Sequence, residues 1–293
     1  MKKEMNYEIK NEHIKAKIKS FGAELNSLQK CAEELEYIWQ GDSKYWNRHS
    51  PILFPIVGRL KNDSYFYQNQ KYNMTQHGFA RDKEFEIVKN EADFIEFRLK
   101  SDEKTLEIYP FSFELYLFYK LEKNSLIVSY KVINKSDDKM LFSIGAHPAF
   151  NWTLKEDEKK EDYFLEFENI KETKRYFLND LGLVYDSVDL KITDNKIALN
   201  EELFKNDALV FEDFNIKTLT LKNSKNENFV KLNFENFPYL GIWSKPSGAP
   251  FICIEPWFGV ADDENSNQNF EDKKGMINLE RDEIFSCFYS IEI

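Results

Sequence analysis

Residues Phe113–Leu121 read FELYLFYKL. Every second residue is apolar: Phe113, Leu115, Leu117, Tyr119 and Leu121. A period of two places these five side chains on one face of a pleated strand and leaves the other face wet. The pattern returns in Val128–Val132, where Val128, Tyr130 and Val132 alternate with Ser129 and Lys131, and in Val230–Phe234, where Lys231 and Asn233 are the polar partners. Further strands are expected at Ile14–Ile18, Phe85–Val88, Phe94–Leu99, Met140–Ile144, Tyr163–Phe167, Thr218–Leu221 and Ile284–Ile291. Polar connectors such as Lys123-Asn124-Ser125, Asn134–Asp138 and Asn223–Asn228 separate them. That rhythm describes an antiparallel meander with sheets packed face to face. Helical signals are confined to a turn or two at Ser101–Leu106 and Glu201–Phe204. No linker rich in Pro, Gly or Ser and no fixed-period repeat divides the chain. The expectation is an all-β fold, one large antiparallel β-sandwich domain over residues 1–293.

Composition agrees and narrows the function. Aromatic residues make up 16% of the chain, with 26 Phe and 15 Tyr, which suits half-buried pleated surfaces. A formal net charge of −11 opposes nucleic acid and anionic lipid as partners, because both need a positive footprint. The start MKKEMNYEIKNEHIKAKIKS is basic but has no apolar core, so it does not read as a signal peptide. No apolar run approaches the ~18 residues of a membrane span. Cys31, Cys253 and Cys287 are few, odd in number and far apart, with no C-x-x-C, and are expected to make neither a disulfide framework nor a zinc site. A cytoplasmic location is expected, and with it the N-x-S/T triplets at Asn62, Asn73, Asn134 and Asn151 are chance occurrences. G-x-G-x-x-G, P-loop, H-E-x-x-H and G-x-S-x-G patterns are absent, so nucleotide, zinc-protease and α/β-hydrolase readings lose their best support.

Three segments break the alternation and mix Gly and Pro with titratable and aromatic side chains. They are Pro51–Arg81, with PILFPIVGRLKND and then QHGFARD, Gly145–Trp152, GAHPAFNW, and Cys253–Asp262, CIEPWFGVAD. Irregular backbone of this kind usually bends to aim side chains into a site. Each segment also has a plain structural reading: His77 bonding a loop carbonyl, His147 as a core histidine, Glu255 capping a turn, Trp257 and Phe258 in the core. Taken together, His77, His147 and Glu255 suit general acid–base catalysis. Glu255 stands among Ile252, Ile254, Pro256, Trp257 and Phe258, where desolvation should lift its pKa towards neutrality. Trp243, Trp257, Phe79 and Phe150 offer platforms for the C–H face of a sugar ring, and Arg59, Arg81 and Asn151 offer donors to hydroxyls. Two competitors use the same residues. A 2-His-1-carboxylate metal site lacks short-spaced ligands, and a glycosidase needs a second carboxylate in a convincing motif.

The ordered set PILFPIVGR, HGFAR, GAHPAFN and CIEPWFGVAD resembles the aldose 1-epimerase (galactose mutarotase-like) superfamily, most of all its LacX-type branch. The resemblance runs from FGAEL (Phe21–Leu25) to the closing strand. It implies a β-supersandwich and interconversion of the α and β anomers of an aldose without a cofactor or metal. It also implies that His147 is the catalytic acid, Glu255 the catalytic base, His77 a substrate-contacting histidine and Asp207 of KNDALVF a sugar-binding aspartate. One departure stands out. Family members often carry G-R-x-x-N-R, whereas this chain has GRLKND, with Asp63 in place of the second arginine. Hexose-6-phosphate epimerases share an H-G-F-A-R-like motif and remain an alternative, as does a non-catalytic sugar-binding protein. The expected partner is a small aldose, free rather than phosphorylated, handled by a monomer or homodimer.

Overall fold

The computed structural model describes residues 5–293 apart from 34, 169, 171, 193, 213–215 and 247. Among these, two large antiparallel sheets carry the fold. The first has nine strands, in the order Lys196–Ala198, Tyr163–Phe167, Thr218–Asn223, Phe229–Asn233, Ile284–Glu292, Ser125–Asn134, Phe113–Glu122, Phe94–Lys100 and Glu86–Asn90. The second runs Val184–Lys191, Glu172–Leu178, Leu209–Glu212, Tyr239–Trp243, Phe251–Phe258, Ile144–Ala146 and Ile52–Leu53, and Ala149–Asn151 also pairs with Phe251–Phe258. A three-stranded sheet, Asn6–Lys10, Ile14–Lys19 and Leu25–Lys30, packs its buried side chains into the same core. Among the described residues no helix is long and apolar enough to cross a membrane.

The alternating strands behave as their pattern requires. Phe113, Leu115, Leu117, Tyr119 and Leu121 are all buried, and Leu126, Val128, Tyr130 and Val132 of the neighbouring strand join them in the main core. Each such side chain contributes roughly 1.5–3 kcal/mol on removal from water. The helix at Glu103–Ile108 begins two residues later than the expected Ser101. Asp102 caps it, accepting from the Thr105 amide at 2.7 Å while its own amide donates to the Thr105 hydroxyl at 2.8 Å. The turn at Glu201–Phe204 is a 3-10 helix.

Two expectations are corrected. Met140–Ile144 is not one strand: Met140–Phe142 pairs with Ile277–Leu279, and Ile144–Ala146 joins the eight-stranded sheet. The chain changes partner at buried Ser143, whose hydroxyl accepts from the Val57 amide at 2.9 Å. Nor is Cys253–Asp262 irregular throughout, since Phe251–Phe258 is a strand with both faces buried. Ile252 and Ile254 point into the main core, while Phe251, Cys253 and Trp257 belong to smaller clusters on the opposite face. A strand covered on both sides has no reason to alternate. The same two-sidedness holds for Leu209–Glu212 and Tyr239–Trp243: Leu209, Phe211, Leu240 and Ile242 face the core, and Val210 and Trp243 face away from it. That outward face carries the site.

Candidate active site

His147 owes its position to an interrupted ladder. Ile144 and Gly145 pair with Phe258 and Trp257, and Ala149, Phe150 and Asn151 pair with Cys253, Ile252 and Phe251. The register is the same on both sides of the break, so His147 falls opposite Glu255. Pro148 lacks an amide hydrogen and cannot donate to the ladder, although its carbonyl still accepts from Ile254 at 3.2 Å. The outcome is a pair of side chains on one face, with His147 Nε2 at 3.2 Å from Glu255 Oε2. Both are buried, Glu255 at 1% exposure and His147 at 7%. Glu255 Oε2 and His147 Nδ1 make no hydrogen bond.

Electrostatics push this pair towards its uncharged form. Burial raises the Glu255 carboxyl well above the ordinary carboxylate range, and the charge of Asp207 adds to the effect. Burial also drives His147 down to about 3, helped by the nearby Arg81 cation. In that form the proton rests on Glu255 and His147 is a neutral imidazole.

His77 completes the cleft from another direction. It follows the loop after Ile52–Leu53, in a left-handed conformation with φ of 67°. Its amide donates to the Gly58 carbonyl at 2.9 Å, and the Gly58 amide donates back to His77 Nδ1 at 3.1 Å. With Nδ1 accepting, the ring proton sits on Nε2. Burial and the Arg81 charge lower the His77 pKa well below its usual value, so the ring is a neutral donor. Its ring meets His147 edge to face with centroids 5.6 Å apart. Arg81, two-thirds of a turn beyond Phe79 in a short 3-10 helix, donates through Nη2 to the Gln76 carbonyl at 2.7 Å and keeps a buried, unbonded Nε.

Trp257 forms the apolar floor. Its indole N–H donates to the Ala146 carbonyl at 3.2 Å. The ring lies across two neighbouring strands at glycines: a Cβ on Gly145 would stand 2.6 Å from it, and one on Gly241 would stand 2.5 Å away. No other residue fits beneath it. Trp243 and Trp46 build the side wall, Trp46 stacking on the His147 ring with centroids 4.9 Å apart. The cleft encloses about 270 Å³, lined by His77, Arg81, His147, Asp207, Trp243, Glu255 and Trp257 among others. That is the small end of ligand sites, which run roughly 300–1,000 Å³, and fits a small molecule better than a polymer.

Several expected residues stand elsewhere. Arg59 turns away to make a two-point pair with Asp63, both hydrogen bonds 2.8 Å, and lines a separate depression. The acidic residue that departs from the family pattern is thus what captures it. Asn151 donates to the Glu36 carbonyl at 3.0 Å and serves the fold. Phe79 and Phe150 pack in the core rather than along the cleft. Sequence reading missed Trp46 and Gln76, and Glu24 behind them. Buried Glu24 accepts from the amides of His49 and Ser50 at 2.7 and 3.1 Å, fixing the loop that presents Trp46. The only signal for Trp46 was a tryptophan set in a polar stretch, GDSKYWNRHS.

Among the described residues one group could ligate a metal ion, namely His147, Cys253 and Glu255, all buried, with ligand atoms within 4.8 Å of one another. His77 is not part of that group.

Comparison with known proteins agrees with this architecture. The sequence model of the aldose 1-epimerase family matches residues 5–269. The chain belongs to the aldose 1-epimerase family. Within it, the chain is 34% identical to the plasmid-borne protein LacX of Lactococcus lactis subsp. lactis over 278 residues, 92% of this chain and 93% of that one. A galactose mutarotase related enzyme from Lactobacillus acidophilus superposes with a TM-score of 0.94 at 38% identity, covering 98% of this chain and 97% of its own. A galactose mutarotase-like protein from Lactobacillus casei gives 0.92 at 32% identity, covering 98% and 99%. An aldose 1-epimerase fold therefore frames the histidines and the glutamate described above.

Proposed function

We propose that this protein interconverts the α and β anomers of a free aldose, with Glu255 as base and His147 as acid. One observation carries the reading: the 3.2 Å approach of His147 Nε2 to Glu255 Oε2 at the cleft floor. The C1 hydroxyl oxygen and the ring oxygen of a pyranose are bonded to the same carbon. Groups that serve both at once must be near neighbours, as these are.

Glu255 takes the proton from the C1 hydroxyl while His147 protonates the ring oxygen, and the C1–O bond to the ring breaks to give the aldehyde. C1 turns about the C1–C2 bond, and re-closure on the other face reverses both transfers. After opening, Glu255 is a neutral acid and His147 a neutral imidazole, the form that burial favours. Because the neutral form is favoured at rest as well, Glu255 first passes its proton to His147 across the 3.2 Å gap, which creates the carboxylate base and the imidazolium acid. Each proton-transfer group contributes about 10²–10⁴-fold. His77, through Nε2–H, and Arg81 hold oxygens of the ring, Asp207 receives a hydroxyl, and Trp257 and Trp243 meet the C–H face.

Charge favours an unphosphorylated substrate. Of Arg48, Arg59, Lys61, Arg81 and Lys245, Arg81 alone is among the described residues lining the cleft. Arg48 is bound to Asp82 at 2.7 Å and Arg59 to Asp63. A phosphate dianion usually meets two or more such donors. The reading carries with it a cytoplasmic protein, monomeric or homodimeric, whose partner is a small sugar. Anomer-exchange NMR or polarimetry over a panel of free and 6-phosphorylated aldoses tests it. Binding without any acceleration of exchange would make this a sugar-binding protein instead.

A further inference from the structure

We propose that His147, Cys253 and Glu255 form an inhibitory site for a borderline-soft divalent cation, with Zn²⁺ the ion their chemistry selects. The donor set is one imidazole nitrogen, one thiol sulfur and one carboxylate oxygen, all buried. Three protein ligands of these kinds with a fourth position open to the cleft are what a solvent-accessible zinc site needs. Cys253 and Glu255 are two apart on one strand and share its face, and His147 stands opposite Glu255 across the ladder.

Distances agree with the ion. Two ligands each ~2 Å from a tetrahedral zinc stand roughly 3.3 Å apart, and His147 Nε2 and Glu255 Oε2 are 3.2 Å apart. All three ligand atoms lie within 4.8 Å, so the sulfur closes in by on the order of 1 Å, within reach of a χ1 adjustment. A second observation points the same way. Glu255 Oε2 is unbonded in a residue 1% exposed, and it faces the other two ligands. No spaced cysteine motif announces the site, because the sheet register brings the ligands together.

On binding, the Cys253 thiol and the Glu255 carboxyl each release a proton to solvent, and their two negative charges balance the dication. Asp207 adds attraction, while Arg81 and Arg48, whose charges reach His147, oppose the cation. The occupied site has lost its acid and its base together. Inhibition therefore rests on the mutarotase reading, whereas metal binding does not.

The experiment uses the whole chain with Co²⁺ and Zn²⁺ as probes. Titration with Co²⁺ should show an intense near-ultraviolet sulfur-to-cobalt charge-transfer band saturating at one ion per chain. Cys253→Ser should abolish that band and weaken Zn²⁺ binding, measured by equilibrium dialysis, roughly tenfold or more. Mutarotation by the wild type should fall with Zn²⁺ occupancy and return with chelator, while Cys253→Ser keeps its basal rate and loses that sensitivity. X-ray absorption on the Zn²⁺-loaded wild type, which needs no variant, should show one sulfur at about 2.3 Å. Absence of sulfur from the metal's shell, or equal Zn²⁺ affinity in Cys253→Ser, overturns the proposal. If the band appears but the protein has no mutarotase activity, the metal site stands and the functional reading falls.

Discussion

The amide of Gly58 donates to Nδ1 of His77 at 3.1 Å, which leaves Nε2 as the nitrogen that carries the proton into the cleft. A backbone group, not a carboxylate, therefore sets the tautomer, and it does so without placing a charge beside the ring. His77→Asn should raise KM more than it lowers kcat, because the ring is assigned to holding oxygens rather than moving protons. Nitrogen NMR of the wild type should show His77 unprotonated at Nδ1 from pH 8 down past 6. A ring that titrates near its ordinary value of 6.5 would contradict the burial that lowers it.

Glu255→Gln should keep the fold and much of the sugar affinity while losing about 10²–10⁴-fold in kcat, since the amide is nearly isosteric but cannot take the C1 proton. His147→Asn should lose a similar factor. Exchange NMR at saturating sugar measures both, with circular dichroism as the check on folding. Exchange at the wild-type rate in Glu255→Gln would move the base to another residue.

Gly241→Ala should be costly out of proportion to one methyl group. Its Cβ would stand 2.5 Å from the Trp257 ring, so the indole has to leave its seat. Overpacking of this kind costs roughly 1–3 kcal/mol. The urea midpoint should fall, and KM should rise because the platform tilts. Unchanged values of both would show that the ring can shift at no cost.

Acid should weaken the fold over a defined window. An unfolded histidine takes up its proton near pH 6.5, whereas His147 in the native state waits until about 3 and His77 is held down in the same sense. The native state binds fewer protons across that interval, so this contribution is present above 6.5 and is lost as pH falls towards 3. Glu255, held up by burial, acts with the opposite sign, its contribution being full below 4.5 and shrinking as pH rises. Urea midpoints against pH should therefore decline less steeply for His77→Asn/His147→Asn than for the wild type. Parallel profiles would mean that the histidines titrate freely in the folded protein.

Glucose should be turned over with a higher kcat/KM than glucose 6-phosphate. A preference for the phosphate of tenfold or more, ~1.4 kcal/mol, that shrinks with added salt would reverse this and make Arg81 and Lys245 the first residues to mutate. Lys245 now donates to the Tyr45 carbonyl at 2.9 Å and would have to change partner.

The nine-stranded sheet was legible because each long strand keeps a wet face: Phe113–Glu122 and Ser125–Asn134 advertise their period of two. The sheet that carries the site was largely silent. Leu209–Glu212 and Phe251–Phe258 are buried on both sides, so their hydrophobicity is continuous and short. The residues proposed to react were nevertheless readable, since His147, Glu255 and His77 are embedded in Gly- and Pro-containing segments where packing alone does not explain a titratable group. Arg59 and Asn151 share those segments but not the cleft. Their destinations depend on Asp63 and on the Glu36 carbonyl, the latter distant in sequence. Trp46 was missed because nothing local distinguishes a tryptophan that stacks on His147 from one that fills a loop.

Glu255 and His147 are ionisable groups buried where apolar side chains could pack instead, and taking such groups out of water costs free energy. The resting protein is accordingly less heat-resistant than its own scaffold permits. Apolar replacements such as Glu255→Leu remove the buried polar group along with the proposed base, so variants lacking that base can outlast the wild type on heating. A laboratory selection for thermal survival alone would tend to discard the proposed base. Any programme to harden this scaffold for use has to screen for turnover in the same round.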